Sequence, residues 1–132
     1  DIEGLQSAMR TMPQASFTTR HYFANGMYCR ELVIPKDCLL VGKVHKHEHL
    51  CLLIQGEITI VSDGSRHRLK APVIFVSTPA VKRAGYAHEE CIFVTVHRTH
   101  LTDLKQIERE IVEEDETALF ECNELKLPEI TA

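Results

Sequence analysis

No stretch of this sequence approaches the roughly 20 consecutive apolar residues that a helix needs to cross a bilayer, so a helical membrane span is excluded and no membrane partner is expected. Basic charge is in short supply: 15 Lys and Arg stand against 19 Asp and Glu, for a net charge of -4. A nucleic-acid surface needs clustered cations to meet phosphates, and none is expected here. No CxxC pair occurs among Cys29, Cys38, Cys51, Cys91 and Cys122. Their odd number and wide spacing argue against a disulfide framework or a zinc ribbon, so free and mostly buried thiols are expected. Also missing are a GxSxG elbow, a phosphate-cradling glycine loop and an HExxH helix, which leaves nucleophilic catalysis without support. No charged-then-apolar leader opens the sequence, and a cytoplasmic location is expected.

What is there reads as one globular domain. A chain of 132 residues can bury about two thirds of its unfolded surface, enough for a core without metal or disulfide staples. Charge is unevenly spread. Residues 1–102 carry 12 basic and 9 acidic side chains, whereas 103–132 carry 3 basic and 10 acidic. The sequence divides accordingly into an N-terminal segment (1–16), a β-rich body (17–101) and a C-terminal helix with an acidic tail (102–132).

Within the first segment a short helix is expected over Ile2–Met12, stopped by Pro13. From there to Val96, short runs rich in Val, Ile, Phe and Thr recur between turn residues. Strands are predicted near Thr18–Phe23, Met27–Ile34, Leu39–Val44, Leu50–Ile54, Glu57–Ser62, Ser65–Leu69, Val73–Val76, Ala84–His88 and Ile92–Val96. Asn25-Gly26 and Asp63-Gly64 are tight-turn signals between strand-like runs. Many short strands with little helix mean a sandwich or a small barrel. Then the period changes: Leu104, Ile107 and Ile111 stand at helical spacing, with Asp103 and Gln106 as a capping pair. That helix should end near Val112 and pack on the barrel or on a second subunit, and 117–132 should form an extended arm.

The most informative segment is Gly42-Lys43-Val44-His45-Lys46-His47-Glu48-His49, followed by an apolar run and Gly56. Neutral imidazole is the commonest side-chain metal ligand. On one straight strand His45 and His49 would stand ~13 Å apart, so they converge only if Lys46-His47-Glu48 bends. This pattern resembles the first cupin motif: a glycine, an HxH pair, a glutamate and a further glycine. Counted back from Gly56, His49 takes the glutamate position, His45 the second histidine position and Lys43 the first. Pro79-Ala80-Val81-Lys82-Arg83 resembles the second motif, with Arg83 near its histidine ligand. The standard three-histidine, one-glutamate set is therefore not reproduced.

A resemblance over nearly the whole chain is carried by YCRELVIPKDCLLVGKVHKHEHL, LKAPVIFVS, VKRAGYAHEECIFVTVHRT and TDLKQIEREIV. These segments are similar, in order and spacing, to small cupin-like proteins of tailed phages and prophages. The resemblance implies an all-β double-stranded β-helix, the cupin or jelly-roll barrel, with a short C-terminal α-helix. It also implies a viral origin, hence the host cytoplasm, and leaves the chemistry open.

Candidate metal ligands are His45, His47 and His49, completed by His88, His97 or Glu89 near the barrel mouth, since an open site keeps at least three protein ligands. Zn, Fe, Mn and Ni all suit such donors. The alternative is a hydrogen-bonded polar turn, favoured by the nearby cations of Lys43 and Lys46. Lys82, Arg83 and Arg98 are candidates for holding a small anion, and Tyr86 for a stacking or hydroxyl contact in the same pocket. Surface ion pairs and half-buried packing are the competing roles. Three functions follow. The first is a module that binds metal, a small anionic molecule, or both. The second is a metal-dependent cupin enzyme of isomerase or oxygenase type, and the third a virion or interaction protein. Exposed sheet edges make a homodimer or higher homo-oligomer the expected state.

Overall fold

The computed structural model describes residues 17–42, 44–62 and 64–111, together with Ile2, Gly4 and the backbone of 122–126. In chain order the strands are β1 (Thr18–Ala24), β2 (Met27–Ile34), β3 (Cys38–Gly42), β4 (His49–Gln55), β5 (Glu57–Ser62), β6 (Ser65–Lys70), β7 (Val73–Ser77), β8 (Ala84–Ala87) and β9 (Cys91–Arg98). A helix, α1 (Leu104–Ile111), and a last strand, β10 (Cys122–Lys126), follow. They form two five-stranded antiparallel sheets, ordered β1-β2-β9-β4-β7 and β10-β3-β8-β5-β6. This is the expected jelly-roll barrel with one C-terminal helix.

Register in the first sheet decides what faces the interior. Even-numbered β2 residues point inward: Tyr28, Leu32 and Ile34 are buried. Pairing extends each of them into a row across the sheet. Leu32 lies opposite Phe93, which lies opposite Leu53, which lies opposite Val73. This row belongs to an apolar core that also includes Ile58 and Ile34. One step nearer the mouth the row is Arg30, Thr95, Cys51 and Phe75. At the mouth Tyr28 pairs with His97, and His49 with Ser77. Polarity thus rises from floor to mouth along a single sheet face.

Two turns hold the frame. The Asn25-Gly26 hairpin closes β1 onto β2 with two residues between the paired Ala24 and Met27, as that dipeptide favours. Gly56, between β4 and β5, sits at φ +90°, and a Cβ there would meet the Glu90 carbonyl oxygen at 2.3 Å. Only glycine fits this junction.

Helix α1 begins as its sequence indicates. Asp103 Oδ1 accepts from the backbone N–H of Lys105 (2.9 Å) and of Gln106 (3.1 Å), capping the helix N-terminus. Ile107 and Ile111 are buried against Tyr28, with Leu101 beside them, so the stripe packs on the barrel wall. Leu104, expected in that stripe, is instead 44% exposed.

The structure differs from the expected boundaries at informative places. Strand β9 runs two residues past Val96, which puts His97 inside a strand. Strand β3 stops at Gly42, two residues short of the expected Val44, and the chain bends at Lys46 and His47 before His49 begins β4. The expected C-terminal arm contributes β10, paired with β3 from Cys122↔Gly42 to Lys126↔Cys38. Of the helix expected over Ile2–Met12, only Ile2 and Gly4 fall among the described residues, and both are helical. Ile2 packs against Leu39, Val41 and Ala84. The helix end near Val112 and the acidic run after it lie outside the described residues.

Candidate metal centre

The bend at Lys46 and His47 folds the chain back after His45, so that His45 and His49 face each other. Their ring centroids are 4.4 Å apart. Strand β9 supplies a third imidazole. His97 lies beside His49, one step beyond the Leu50↔Val96 pair, with centroids 4.5 Å from His49 and 5.2 Å from His45. One ring nitrogen from each of the three lies within 4.8 Å of the others. His49 and His97 are buried and His45 is half-buried.

The surroundings favour neutral rings. His97 is pushed down to about 2, chiefly by burial, then by His49, His45 and Arg30. Burial is also the main cause that lowers His49, and the Arg83 and Arg30 guanidiniums add to it, against the opposing hydrogen bond to the His47 carbonyl. In that 3.4 Å contact the carbonyl can only accept, so Nδ1 of His49 carries the proton. Its Nε2 therefore keeps a lone pair, the protonation state a ligating histidine needs. His97 Nε2 meets Thr95 Oγ1 at 3.1 Å, and its ring stacks on Tyr28 at 5.9 Å. Tyr28 is itself fixed by His21, whose Nδ1 lies 2.6 Å from the Tyr28 hydroxyl.

This donor set fits a transition-metal ion. Three neutral imidazoles suit Zn, Fe and Ni. Metal–nitrogen bonds of 2.0–2.1 Å place ligands roughly 3–3.5 Å apart, so small side-chain rotations close the set. An ion held by these three residues alone would keep coordination positions open for a small molecule.

Not every expected residue joins. His47 is exposed in the bend. His88 stands past the end of β8, where its Nε2 meets Thr59 Oγ1 at 2.6 Å and its ring packs edge-on against Tyr86. Burial lowers its pKa, followed by the Arg68 guanidinium, with Glu57 opposing. Glu89 is exposed. Of the anion candidates, Arg83 lines the barrel cavity and donates from Nη1 to Ser77 Oγ. Arg98 is out of phase with His97 and exposed on the outer surface. Tyr86 pairs with Leu39 and Thr59 on the face of the second sheet away from the cavity. Its hydroxyl donates to Asp37 at 3.0 Å, so it makes no pocket contact. Lys82, next to Arg83, is half-buried but does not line the cavity.

Sequence reasoning missed Arg30. It stands in phase with Tyr28, Leu32 and Ile34, a charge at an inward position of an otherwise apolar alternation, and that phase was the available signal. Arg30, Arg83, His45 and His49 line a cavity of about 100 Å³ whose floor includes Ile34 and Phe93.

No family model matches the sequence, and no curated protein matches it. Solved structures do resemble its fold. A cupin-2 domain containing protein from Shewanella frigidimarina superposes with a TM-score of 0.54 at 14% identity, over 72% of this chain and 92% of that one. KdgF from Halomonas sp. gives 0.57 at 11% identity, over 73% and 94%. Ectoine synthase from P. lautus gives 0.61 at 13% identity, over 83% and 86%. At such identities the likeness speaks for architecture alone, and that architecture is the cupin barrel.

Proposed function

We propose that the barrel holds a divalent transition-metal ion through His45, His49 and His97 and presents it to a small molecule in the cavity behind them. The observation that carries this reading is the convergence of three imidazoles from a bend and two neighbouring strands. Imidazoles gathered this closely are costly unless neutral, and as neutral rings they are a ready donor set. A bound ion would supply Lewis-acid polarisation of a ligand oxygen. The protein's own part is to orient the rings through Thr95, Tyr28 and the His47 carbonyl, and to keep water from the apolar floor.

Because three ligands gather among the described residues, the positions they would leave open favour a metal-dependent enzyme of isomerase or oxygenase type as the second reading. On the resemblance to phage and prophage proteins, we propose that it acts in an infected host cell. The deciding experiment is elemental mass spectrometry on untagged protein purified without chelator, with a His45→Ala/His97→Ala variant beside it. Near-stoichiometric metal lost in the folded variant supports the centre. Absence of metal from the wild type, even after incubation with Zn, Fe, Mn or Ni salts, overturns it.

A further inference from the structure

The outer face of the first sheet is apolar across its width. Tyr28, Leu32 and Ile34 point inward, so the residues between them point outward, and register carries these across all five strands. One outward row runs Tyr22, Cys29, Val96, Leu50 and Val76. The next runs Arg20, Glu31, Val94, Leu52 and Ile74. Val33 and Ile92 follow, with Ile54 in the bulge beside them. None of these outward residues is buried. The two charges among them, Arg20 and Glu31, pair with each other at 3.1 Å.

A strand covered on one face alternates apolar with polar, whereas one covered on both reads as a continuous apolar run. Leu50–Ile54 and Val73–Val76 are such runs, and Ile92–Val96 is broken only by Thr95. The second sheet is different. Ile2 packs on its Leu39, Val41 and Ala84. Its edge strand β6 shows Arg66, Arg68 and Lys70 to water, a charged edge of the kind that resists pairing. Strand β7, an edge of the first sheet, carries no charge. The described elements beyond β1–β9 also lie elsewhere: β10 joins the second sheet, and α1 packs on the inward-pointing Tyr28.

Size and charge select the occupant. With strands ~4.8 Å apart and outward rows ~6.8 Å apart, the face has a plan area of roughly 500 Å². Two copies laid face to face would hide about 1,000 Å², the lower bound for a specific interface. A face whose one ion pair is satisfied internally also meets its own copy without like-charge repulsion. We infer that a second copy of the chain packs on this face, sheet against sheet, about a twofold axis over β9. Sheets of this kind pack about 10 Å apart with interdigitated side chains. Because β9 is the middle strand, Val94 and Val96 of both copies stand near the axis. The cavity and its histidines lie on the inner side of the sheet, so pairing is independent of metal.

Cys29 reports on this face without any substitution. It is half-buried in the first outward row, whereas Cys38, Cys51 and Cys91 are buried. Sedimentation velocity on the full chain gives the paired fraction over a concentration series. Iodoacetamide alkylation, read at Cys29 by peptide mass spectrometry, gives the accessibility of the face over the same series. Alkylation should slow about tenfold once about nine-tenths of the chains are paired, because only the free copy reacts. Val94→Glu/Val96→Glu places like charges of both copies at the axis. That variant should stay monomeric with a wild-type circular dichroism spectrum, and its Cys29 should react fast at every concentration.

A wild type that stays monomeric overturns the second copy. Fast Cys29 alkylation would then leave the face to a different protein, and slow alkylation at every concentration would assign its cover to the chain's own terminal segments. A paired wild type whose Cys29 keeps the monomer rate also overturns it, since pairing then uses another surface. So does a folded Val94→Glu/Val96→Glu variant that pairs as the wild type does. The wild-type thiol comparison decides the matter even if that variant fails to fold.

Discussion

Lys46 is fastened to the end of α1 at two points: its backbone N–H donates to the Ile111 carbonyl at 2.8 Å, and its ammonium donates to the Arg109 carbonyl at 2.8 Å. Carbonyls in the last turn of a helix have no partner within it, and a cation there also meets the negative end of the helix dipole. The same residue lies between His45 and His49, so the helix terminus fixes the bend that brings two imidazoles together.

Substituting Lys46→Met removes the side-chain bond and keeps the backbone one. The side chain is exposed, so the stability cost should be modest, about 1 kcal/mol by urea unfolding. Metal affinity should fall more than stability does, because the bend carries His45. A variant with lower stability but wild-type metal affinity would show that the bend is held by its own turn and not by α1.

The candidate ligands separate into those the fold gathers and those it does not. His45→Ala, His49→Ala and His97→Ala should each abolish stoichiometric metal binding, since two remaining donors do not make a site. His47→Ala and His88→Ala should leave it intact. His88→Ala should instead cost about 1 kcal/mol through the lost Thr59 partner, read by thermal unfolding. Loss of metal in His47→Ala, with its fold retained, would mean that the bend rearranges on loading.

Much of this architecture is legible in the chain, for reasons that particular residues show. Alternation in Met27–Ile34 and the two-residue turns at Asn25-Gly26 and Asp63-Gly64 are local signals, and the strands follow them. His45 and His49 are legible as a pair because strand geometry forbids their meeting without a bend. His97 is harder to place, because its proximity to His49 depends on the register of β4 against β9, a long-range pairing that no local pattern encodes. Tyr86 is hard to place for the same reason: a one-residue change of phase sends a side chain to the other sheet face. Arg30 is easily read as solvent-facing, as a single charge in a strand usually is, although its phase with Tyr28 and Leu32 places it inside.

Gly56 offers a test of the frame independent of the site. A Cβ at this position would stand 2.3 Å from the Glu90 carbonyl oxygen and 2.8 Å from Cys91 Sγ, on a backbone at φ +90°. Strain and overpacking each cost about 1–3 kcal/mol, so Gly56→Ala should lose several kcal/mol in urea unfolding or fail to accumulate as soluble protein. A loss under about 1 kcal/mol would mean that the β4–β5 junction re-forms around the methyl.

The outward face of β4 and β7 is unusually apolar: Leu50, Ile54, Ile74 and Val76 are 44–67% exposed, and β7 is the edge of its sheet. Contiguous apolar surface of this kind marks association, and a second copy of the chain fits the expected homo-oligomer. Light scattering coupled to size-exclusion chromatography should report a dimer or larger assembly for the wild type, and a lower mass for Ile74→Lys/Val76→Lys. A monomeric wild type at micromolar concentration would remove the self-association reading.

Acidification should act on the metal-free protein through the buried rings. His97 is lowered to about 2 and His49 is lowered in the same direction, against an unfolded-state value near 6.5. Below pH 6.5 the unfolded chain therefore binds protons that the native chain does not. Stability is fully present above pH 6.5 and is lost as pH falls from there toward the folded-state values. In that window each such group lowers stability by at most about 1.4 kcal/mol per pH unit. Urea unfolding of chelator-treated protein between pH 8 and pH 4.5 should thus be flat down to about pH 6.5 and then decline. His97→Phe removes the most strongly shifted ring while filling its volume, so its decline should be shallower. An equally steep decline in that variant would assign the acid sensitivity to groups other than the triad.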